Sequence, residues 1–345
     1  MTATFAFKPA AQTYHVTGAV EENDFFYAPD PSSQLACAIA GNIAMNSGGA
    51  HCLKYGVTTN NLLGVTMVQM DGTIIEIGGA HLDAAGYDLL GIICGSEGQM
   101  GVVTEATLRI LRKPEGARPV LIGFEDNEVA GACVADIIKA GVLPVAIEFM
   151  DRPVIRATEA FAGAGYPDCE ALLIVGACVK ARRLRKAPKS GWAESLRSGQ
   201  VGQINDYMCL DGTIPVSELP YVLKRIGELS KQYGLDVGNV FHAGDGNMHP
   251  LILFNANKEG DLELCEALGA DILRLCVEVG GCLTGEHGVG IEKRDLMYDQ
   301  FTHEDLEAQM KVKDVFDPKW LLNPAKVFPL SATQSRRDGN QSAEV

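Results

Sequence analysis

Two histidines flank a glycine-rich turn in the second half of the sequence, in the run from His242 to His249, and strand-like segments lie on both sides of it. A turn of this kind can direct both imidazole rings at one point, as a divalent metal ion requires. The alternative is a pair of hydrogen-bonded histidines in the core, since histidine also serves as a buried polar residue.

A second motif supplies a carboxylate. Residues Gly281–Gly290 contain Glu286 and His287 side by side, in a loop too rich in glycine to be explained by packing. Two histidines and one carboxylate leave an open position on a divalent ion, which is the pattern of a catalytic site. Because adjacent residues tend to point in different directions, Glu286 can bind the metal while His287 acts as a base.

Three further glycine-rich loops come earlier in the chain, at Gly41–Gly49, Tyr55–Thr58 and Gly95–Gly101. Exposed backbone amides in such loops suit a large polar cofactor. None of the three has the spacing of the dinucleotide fingerprint GxGxxG or of a phosphate-binding P-loop. Their occurrence in order, ahead of a separate metal-like site, predicts a cofactor domain followed by a substrate domain.

The elements that must position these loops are strand-rich in residues 31–116, which we predict to form the first domain. An Asp71-Gly72 turn between two β-rich runs predicts a tight hairpin. Leu89–Cys94 is an apolar run that we expect to be buried. The two runs of the hairpin are Val65–Gln69 and Thr73–Ile77, and Gly101–Leu111 is a further predicted strand. A weaker strand is predicted at Tyr14–Val20, before residue 31.

Strands and helices alternate in residues 117–330, and this pattern predicts an α+β domain. The predicted strands are Pro119–Phe124, Val145–Met150, Leu172–Val175, Val237–His242 and Leu251–Phe254. The predicted helices are Asn127–Ala140, Arg152–Ala162, Val216–Tyr233 and Asp261–Val279. Residues 180–197 form an atypical basic insert, interpreted as a solvated loop, and the polar tail 331–345 is predicted to be disordered.

Composition excludes several classes of function. With 345 residues the chain has room for about two domains. Its net charge of −15 argues against a partner with a negative surface, whether nucleic acid or anionic membrane. No apolar run approaches the roughly 18 residues of a membrane helix, so no direct membrane insertion is expected. The ten cysteines contain no CxxC pair and no signal peptide is evident, which predicts reduced, mostly buried thiols in the cytoplasm.

Several long motifs resemble the FAD-linked 2-hydroxyacid dehydrogenases, the family of the glycolate oxidase FAD subunit. The resemblance covers Tyr27 to about Cys178 and Gly202–Pro329. It implies an α+β protein with the C-terminal part of a vanillyl-alcohol oxidase-type FAD-binding domain, followed by an α+β FAD-linked oxidase C-terminal domain. The motifs are Asp30–Gln34, Gly41–Gly49, His51–Thr58, Asp211–Pro215, His242–Pro250, Gly285–Gly290 and Leu322–Pro324.

The resemblance also implies roles for individual residues. His242, His249 and Glu286 correspond to ligands of a divalent metal, which is zinc, manganese or iron in the family. His287 corresponds to the base that accepts the hydroxyl proton of a small 2-hydroxy acid, of the glycolate or D-lactate class, while C2 passes a hydride to the flavin. The implied FAD-binding residues are Gly41, Asn42, Asn46, Gly48, Gly49, Gly56, Glu97, Gly101, Val103 and Asn323.

Family members carry a further glycine-rich loop for the FAD pyrophosphate in an N-terminal half of the flavin domain, and residues 1–30 here form an atypical segment without it. Two hypotheses follow: an active FAD-dependent dehydrogenase, or a truncated, non-catalytic remnant or subunit that keeps the metal site and does not bind FAD. The resemblance further implies partners, namely a second flavin-domain subunit and an iron-sulfur subunit. Through them a cytoplasmic protein would lie at the periphery of the inner membrane.

Overall fold

The computed structural model describes residues 3–7, 11–81, 86–114, 116, 118–177 and 206–341. The chain divides into two compact units. The first unit contains Met1–His51, Tyr55–Lys113 and Glu286–Val345, and the second contains Cys52–Lys54 and Pro114–Gly285. The basic insert 180–197 lies outside the described residues.

The first unit is built on an antiparallel sheet, which has five strands within the described residues, in the order β1-β5-β3-β4, with β2 also paired to β5. The predicted hairpin is confirmed as β3 and β4, with Val65 opposite Ile77. The strands are β1 Ala3–Phe7, β2 Phe25–Phe26, β3 Leu62–Val68, β4 Ile74–Gly78 and β5 Val102–Arg112. The helices of this part of the chain are α1 Thr13–Val20, α2 Ile39–Met45, α3 Cys52–Tyr55 and α4 Leu89–Ile93.

Two predictions for this part were wrong. The predicted strand Tyr14–Val20 is helix α1, because its buried residues Thr13, Val16 and Val20 recur at the three- and four-residue spacing of one helical face. The apolar run Leu89–Cys94, expected to be buried throughout, begins with an exposed Leu89, although Ile93 and Cys94 are buried. Its first five residues form helix α4, which begins where the Asp88 carboxylate accepts a hydrogen bond from the Gly91 amide at 3.0 Å.

The second unit is a sheet with helices packed on it, and its strand order over the described residues is β6-β8-β7-β10-β11-β9, all antiparallel. The strands are β6 Arg118–Phe124, β7 Ala146–Asp151, β8 Ala171–Ala177, β9 Asp206–Cys209, β10 Val237–His242 and β11 Pro250–Phe254. The helices are α5 Asn127–Lys139, α6 Arg152–Ala162, α7 Leu219–Tyr233 and α8 Asp261–Glu278. The predicted strands and helices of this α+β region are therefore confirmed, to within a few residues at their ends.

Local signals set the helix ends of the second unit. Asp126 and Asp151 cap α5 and α6 by accepting hydrogen bonds from amides in the first turn, and Gly163 and Gly234 end α6 and α7 in the left-handed conformation. Phe149 of β7 and Phe241 of β10 stack in the core, with ring centroids 4.8 Å apart. The core thus fixes β7 and β10 against each other, immediately beside the end of β10.

Residues Glu286–Val345 group with the first unit, whereas the sequence-based prediction places residues 117–330 in one domain. The helices of this last part are α9 Met297–Gln300, α10 His303–Phe316 and α11 Leu330–Gln341. The segment before these helices contacts the Gly95–Gly101 loop, because the Glu97 carboxylate accepts hydrogen bonds from the Val289 and Gly290 amides, at 2.6 and 2.9 Å.

The predicted disorder of the tail was also wrong up to Gln341, since α11 occupies this segment. Arg336 holds α11 against α10, because its guanidinium binds Glu307 at 2.8 Å and Asp314 at 3.1 Å, both on α10. Nowhere along the described ranges is a helix long and apolar enough to cross a membrane. The nine cysteines among those residues form no disulfide, and four of them are buried.

Candidate active site

The histidine turn joins two neighbouring strands of the second unit. His242 is the last residue of β10, and His249 directly precedes β11. Gly246, at φ +76°, lies so close to the Ile214 carbonyl that a Cβ would overlap it, so this turn requires glycine. Both imidazoles are buried, 3% and 4% exposed, and their rings stand edge to face with centroids 5.2 Å apart. A ring nitrogen of each lies within 4.8 Å of the other, so the structure brings the pair together.

Hydrogen bonds define which nitrogen of each ring carries its proton. His242 Nδ1 lies 2.7 Å from Glu148 Oε1, and His249 Nδ1 lies 3.1 Å from the Leu210 carbonyl. Both partners are acceptors, so each Nδ1 donates, and in the neutral ring Nε2 is then the nitrogen without a proton. This is the arrangement usual for metal-binding histidines, whose second nitrogen is held by a carboxylate or carbonyl.

Sequence reasoning missed two residues beside this pair. Glu148 stands directly opposite His242 in the antiparallel pairing of β7 with β10, a position visible only once the strand register is known. Cys209, the last residue of β9, places its thiol within 4.8 Å of a ring nitrogen of His249. Neither residue lies in a motif with ligand spacing, so no local signal could have found them.

The segment from Leu210 to Gly212 ties the histidine turn to the peptide that leads into Glu286. The Gly212 carbonyl accepts a hydrogen bond from the Met248 amide at 2.8 Å. Asp211, which is fully buried, accepts hydrogen bonds from the Thr284 hydroxyl and the Gly285 amide. Gly285, the residue directly before Glu286, is therefore held by Asp211. Asp211 directly follows Leu210, whose carbonyl binds His249.

Glu286 and His287 lie in the first unit. The Glu286 carboxylate is nearly buried and accepts a hydrogen bond from the Gly48 amide at 2.9 Å. His287 is 46% exposed, and its Nε2 lies 3.9 Å from Glu286 Oε1. The structure therefore joins the Glu-His motif to the first glycine-rich loop.

Every predicted cofactor-binding residue also lies in the first unit. Contacts link the loops that contain them: the Asn323 side chain donates to the Glu97 carbonyl, and the Gln99 side chain donates to the Asn323 carbonyl at 3.2 Å. The Glu97 carboxylate accepts hydrogen bonds from the Val289 and Gly290 amides, so Glu97 contacts this backbone as well as the Asn323 side chain.

Several of the predicted cofactor residues use their side chains within the protein. Asn42 donates to the Thr13 hydroxyl at 2.9 Å, and Asn46, which ends α2 at φ +51°, accepts from the Thr59 amide at 2.9 Å. Gly41 is different, because a Cβ at this position would meet nothing within 4 Å. Gly49 approaches Asp30, Gly56 approaches Asn60, Gly101 approaches Met67, and Val103 pairs with Met67 across β3 and β5.

The fold and this site define a two-part flavoprotein of the oxidase type. The sequence profile described as "FAD linked oxidases, C-terminal domain" matches residues 113–204 and 180–327, and the profile described as "FAD binding domain" matches residues 2–78. The chain belongs to the FAD-linked oxidase family, among its 2-hydroxyacid oxidoreductases. Residues 2–30 of the segment 1–30, which was predicted to be atypical, fall within the second match, and β1 and β2 pair with β5 of the same sheet.

Curated relatives include the glycolate oxidase subunit GlcD of Escherichia coli, 46% identical over 93% of this chain and 70% of that protein. GlcD of Bacillus subtilis is 34% identical over 95% of this chain and 76% of its own length. A D-lactate dehydrogenase of Archaeoglobus fulgidus is 30% identical over 87% of this chain and 72% of its own length.

Solved structures share the fold at low sequence identity. A 4-ethylphenol oxidase from Gulosibacter chungangensis has a TM-score of 0.72 at 13% identity, over 94% of this chain and 76% of that one. An alkyldihydroxyacetonephosphate synthase has a TM-score of 0.65 at 17% identity, over 93% of this chain. This chain spans 63% of the synthase chain.

Proposed function

We propose that this chain catalyses the FAD-dependent oxidation of a small 2-hydroxy acid, of the glycolate or D-lactate class, to the 2-oxo acid. The observation that carries the proposal is the buried pair His242 and His249, with both Nδ1 atoms held by acceptors. Similarity to GlcD and to D-lactate dehydrogenases supports the substrate class.

The proposed metal ligands are His242, His249 and Glu286. The two histidines fit a divalent ion, because their rings are buried, close together and of the tautomer that leaves Nε2 to bind. Glu286 directly follows Gly285, whose amide donates a hydrogen bond to Asp211. When bound, zinc, manganese or iron supplies positive charge that stabilises the developing alkoxide of the substrate. By holding the ion in place, His242, His249 and Glu286 would orient the hydroxyl and carboxylate of the acid.

His287 is the proposed catalytic base. It is half exposed and held beside Glu286 at 3.9 Å, so it can take the hydroxyl proton of the substrate at a ring nitrogen and return it to solvent. The role divides the Glu-His motif between two adjacent residues, one for the metal and one for the proton.

The proposed FAD cradle consists of the glycine-rich loops of the first unit together with Asn323. FAD held there would supply the acceptor for the hydride from C2 of the substrate. The contacts of Glu97, Asn42 and Asn46 support a role in shaping these loops, whereas open space at Gly41 leaves room for a ligand to approach the backbone.

We further propose that the protein acts with a second flavin-domain subunit and an iron-sulfur subunit, in the cytoplasm and at the periphery of the inner membrane. Support comes from its relatives in Escherichia coli and Bacillus subtilis, each of which is named as a glycolate oxidase subunit. Affinity purification of a tagged chain from its own cells should retain two such proteins. Fast turnover of the isolated chain with oxygen would contradict this arrangement.

Metal analysis and turnover test the proposal. The purified protein should contain about one divalent ion per chain and oxidise glycolate or D-lactate with a dye as electron acceptor. His249→Ala should lose the ion and the activity, whereas His15→Ala, which removes an exposed histidine of α1, should keep both. Stoichiometric metal in the His249→Ala protein would overturn the ligand assignment. Loss of metal and activity in the His15→Ala control would show that the effect of His249→Ala is not specific to a metal ligand.

A further inference from the structure

Lys313 of α10 is a buried cation in the first unit, only 1% exposed. Its ammonium donates to the Asp317 carboxylate at 2.8 Å, to the Gln99 carbonyl at 3.0 Å and to the Leu322 carbonyl at 3.2 Å. An ammonium has three N–H donors, and each of them therefore has an acceptor among the described residues. The Trp320 ring lies 5.1 Å from the nitrogen and adds a cation–π contact.

The acceptors of Lys313 belong to two different loops of the proposed FAD cradle. Gln99 lies in the loop Gly95–Gly101, and Leu322 directly precedes Asn323. The same two loops are joined a second time, because the Gln99 side chain donates to the Asn323 carbonyl at 3.2 Å. Lys313 thus fixes the main chain at the point where these loops meet.

Asp317 has a separate task within this arrangement. Its carboxylate accepts hydrogen bonds from the Leu321 and Leu322 amides, at 3.1 and 2.8 Å, and thereby shapes the turn that follows α10. Lys313 then connects this turn to Gln99. A buried ion pair adds little net stability compared with apolar residues of similar volume, so stability alone does not explain a lysine here.

The connection extends to the segment that follows His287, the proposed base. Asn323 donates to the Glu97 carbonyl, and the Glu97 carboxylate holds the amides at Val289 and Gly290, two and three residues after His287. A shift of the Gly95–Gly101 loop would therefore also displace Asn323 and the backbone at Val289 and Gly290.

We propose that Lys313 is a positioning residue of the FAD site, which sets the affinity for FAD by joining the Gly95–Gly101 loop to the Leu322–Asn323 turn. This inference rests on the proposed function. Loss of two charge-assisted hydrogen bonds to backbone carbonyls of the cradle should weaken FAD binding by about 10- to 100-fold.

The test measures FAD binding to the apoprotein by quenching of flavin fluorescence, at a temperature where circular dichroism shows each variant to be folded. Lys313→Met should bind FAD about 10- to 100-fold more weakly than the native chain. Lys311→Met is the matched control, since Lys311 lies on the same helix with a 70% exposed side chain, and it should bind normally.

A double variant separates positioning from folding. Lys313→Met with Asp317→Asn removes the carboxylate that Lys313→Met alone would leave buried without its cation, so thermal stability should recover toward that of the native chain. FAD affinity should stay low, because the ammonium that bound the Gln99 and Leu322 carbonyls is still absent. The double variant also serves if Lys313→Met alone fails to fold.

Each outcome decides a different point. If the native chain binds FAD and the double variant binds it equally well, Lys313 is only the charge partner of Asp317 and the inference is overturned. If FAD affinity recovers in step with thermal stability, the same conclusion holds. If the native chain itself does not bind FAD, the proposed function fails and the inference fails with it.

Discussion

Replacing Glu148 tests whether the hydrogen bond at His242 Nδ1 orients that ring in the proposed metal site. The bond is 2.7 Å long and joins a carboxylate to an imidazole that is 3% exposed. Hydrogen bonds to charged groups contribute about 1.5–3 kcal/mol, and each 1.4 kcal/mol corresponds to about a factor of ten in affinity. Loss of this carboxylate should therefore weaken metal binding by about 10- to 100-fold, the range typical of such supporting groups.

A series of substitutions grades the effect. Glu148→Gln keeps an oxygen acceptor without the charge, so its metal affinity should fall by about tenfold, at the lower end of the range. Glu148→Leu removes the acceptor altogether and should approach a hundredfold loss, because the ring can then place its proton on either nitrogen. Glu170→Gln is the control, since Glu170 forms a surface ion pair with Arg152 at 3.1 Å.

Competition with a chromophoric chelator gives the affinity of each variant for Zn²⁺ and Mn²⁺. The native chain and Glu170→Gln should give the same dissociation constant. Unchanged affinity in both Glu148 variants would refute the argument that the tautomer of His242 is fixed for metal binding. An equal loss in Glu170→Gln would show that a general change in the unit, and not this hydrogen bond, affects the ion.

Three further predictions concern other parts of the chain. Burial raises the pKa of Asp151 to about 7, against hydrogen bonds from Asn239 that lower it, so the folded state holds this proton more tightly than the unfolded chain. The free energy of unfolding should therefore fall as pH rises from about 4 to 7, by at most about 1.4 kcal/mol per pH unit, and urea titrations of Asp151→Asn should show a smaller slope. Gly41→Ala should stabilise α2 by up to about 1 kcal/mol in thermal melts yet weaken FAD binding, and unchanged affinity would show that no cofactor approaches this backbone. Arg336→Ala removes the ion pairs with Glu307, so hydrogen exchange in α11 should accelerate while that in α8 stays the same.

Sequence patterns predicted the second unit well because its elements have one clear period each. The bounds of Val237–His242 were predicted to the residue, and α6 follows an Asp cap and ends at Gly163 as its sequence indicates. The strand prediction for α1 was wrong because a segment of eight residues is too short for its sequence period to separate strand from helix. Packing decides between them, and it buries Thr13, Val16 and Val20 on one helical face.

The supporting residues of the site were harder to predict than the motifs. Glu148 acts through strand register, which no local pattern encodes. Lys313 left a weaker signal: the buried positions of α10 are Leu306, Met310 and Lys313, spaced four and three residues apart, so a lysine continues the apolar stripe of the helix. A charged residue on a core-facing stripe indicates a buried partner, although the sequence does not identify it.

The role of the C-terminal residues depended on contacts across the chain. The tail from residue 331 has a polar composition typical of disorder, yet Thr333 is buried and Arg336 bridges to Asp314. Long-range ion pairs of this kind stabilise a segment that its own composition does not.

Anaerobic reduction of the bound flavin tests the central claim most directly. The chain, supplied with FAD and a divalent ion, is mixed without oxygen with glycolate and, separately, with D-lactate, while absorbance near the flavin maximum is followed. The account predicts that at least one acid bleaches the flavin, with one 2-oxo acid formed per flavin reduced, and that the reaction fails in His287→Gln although FAD remains bound. A chain that binds FAD and metal yet leaves the flavin oxidised with both acids would contradict the account.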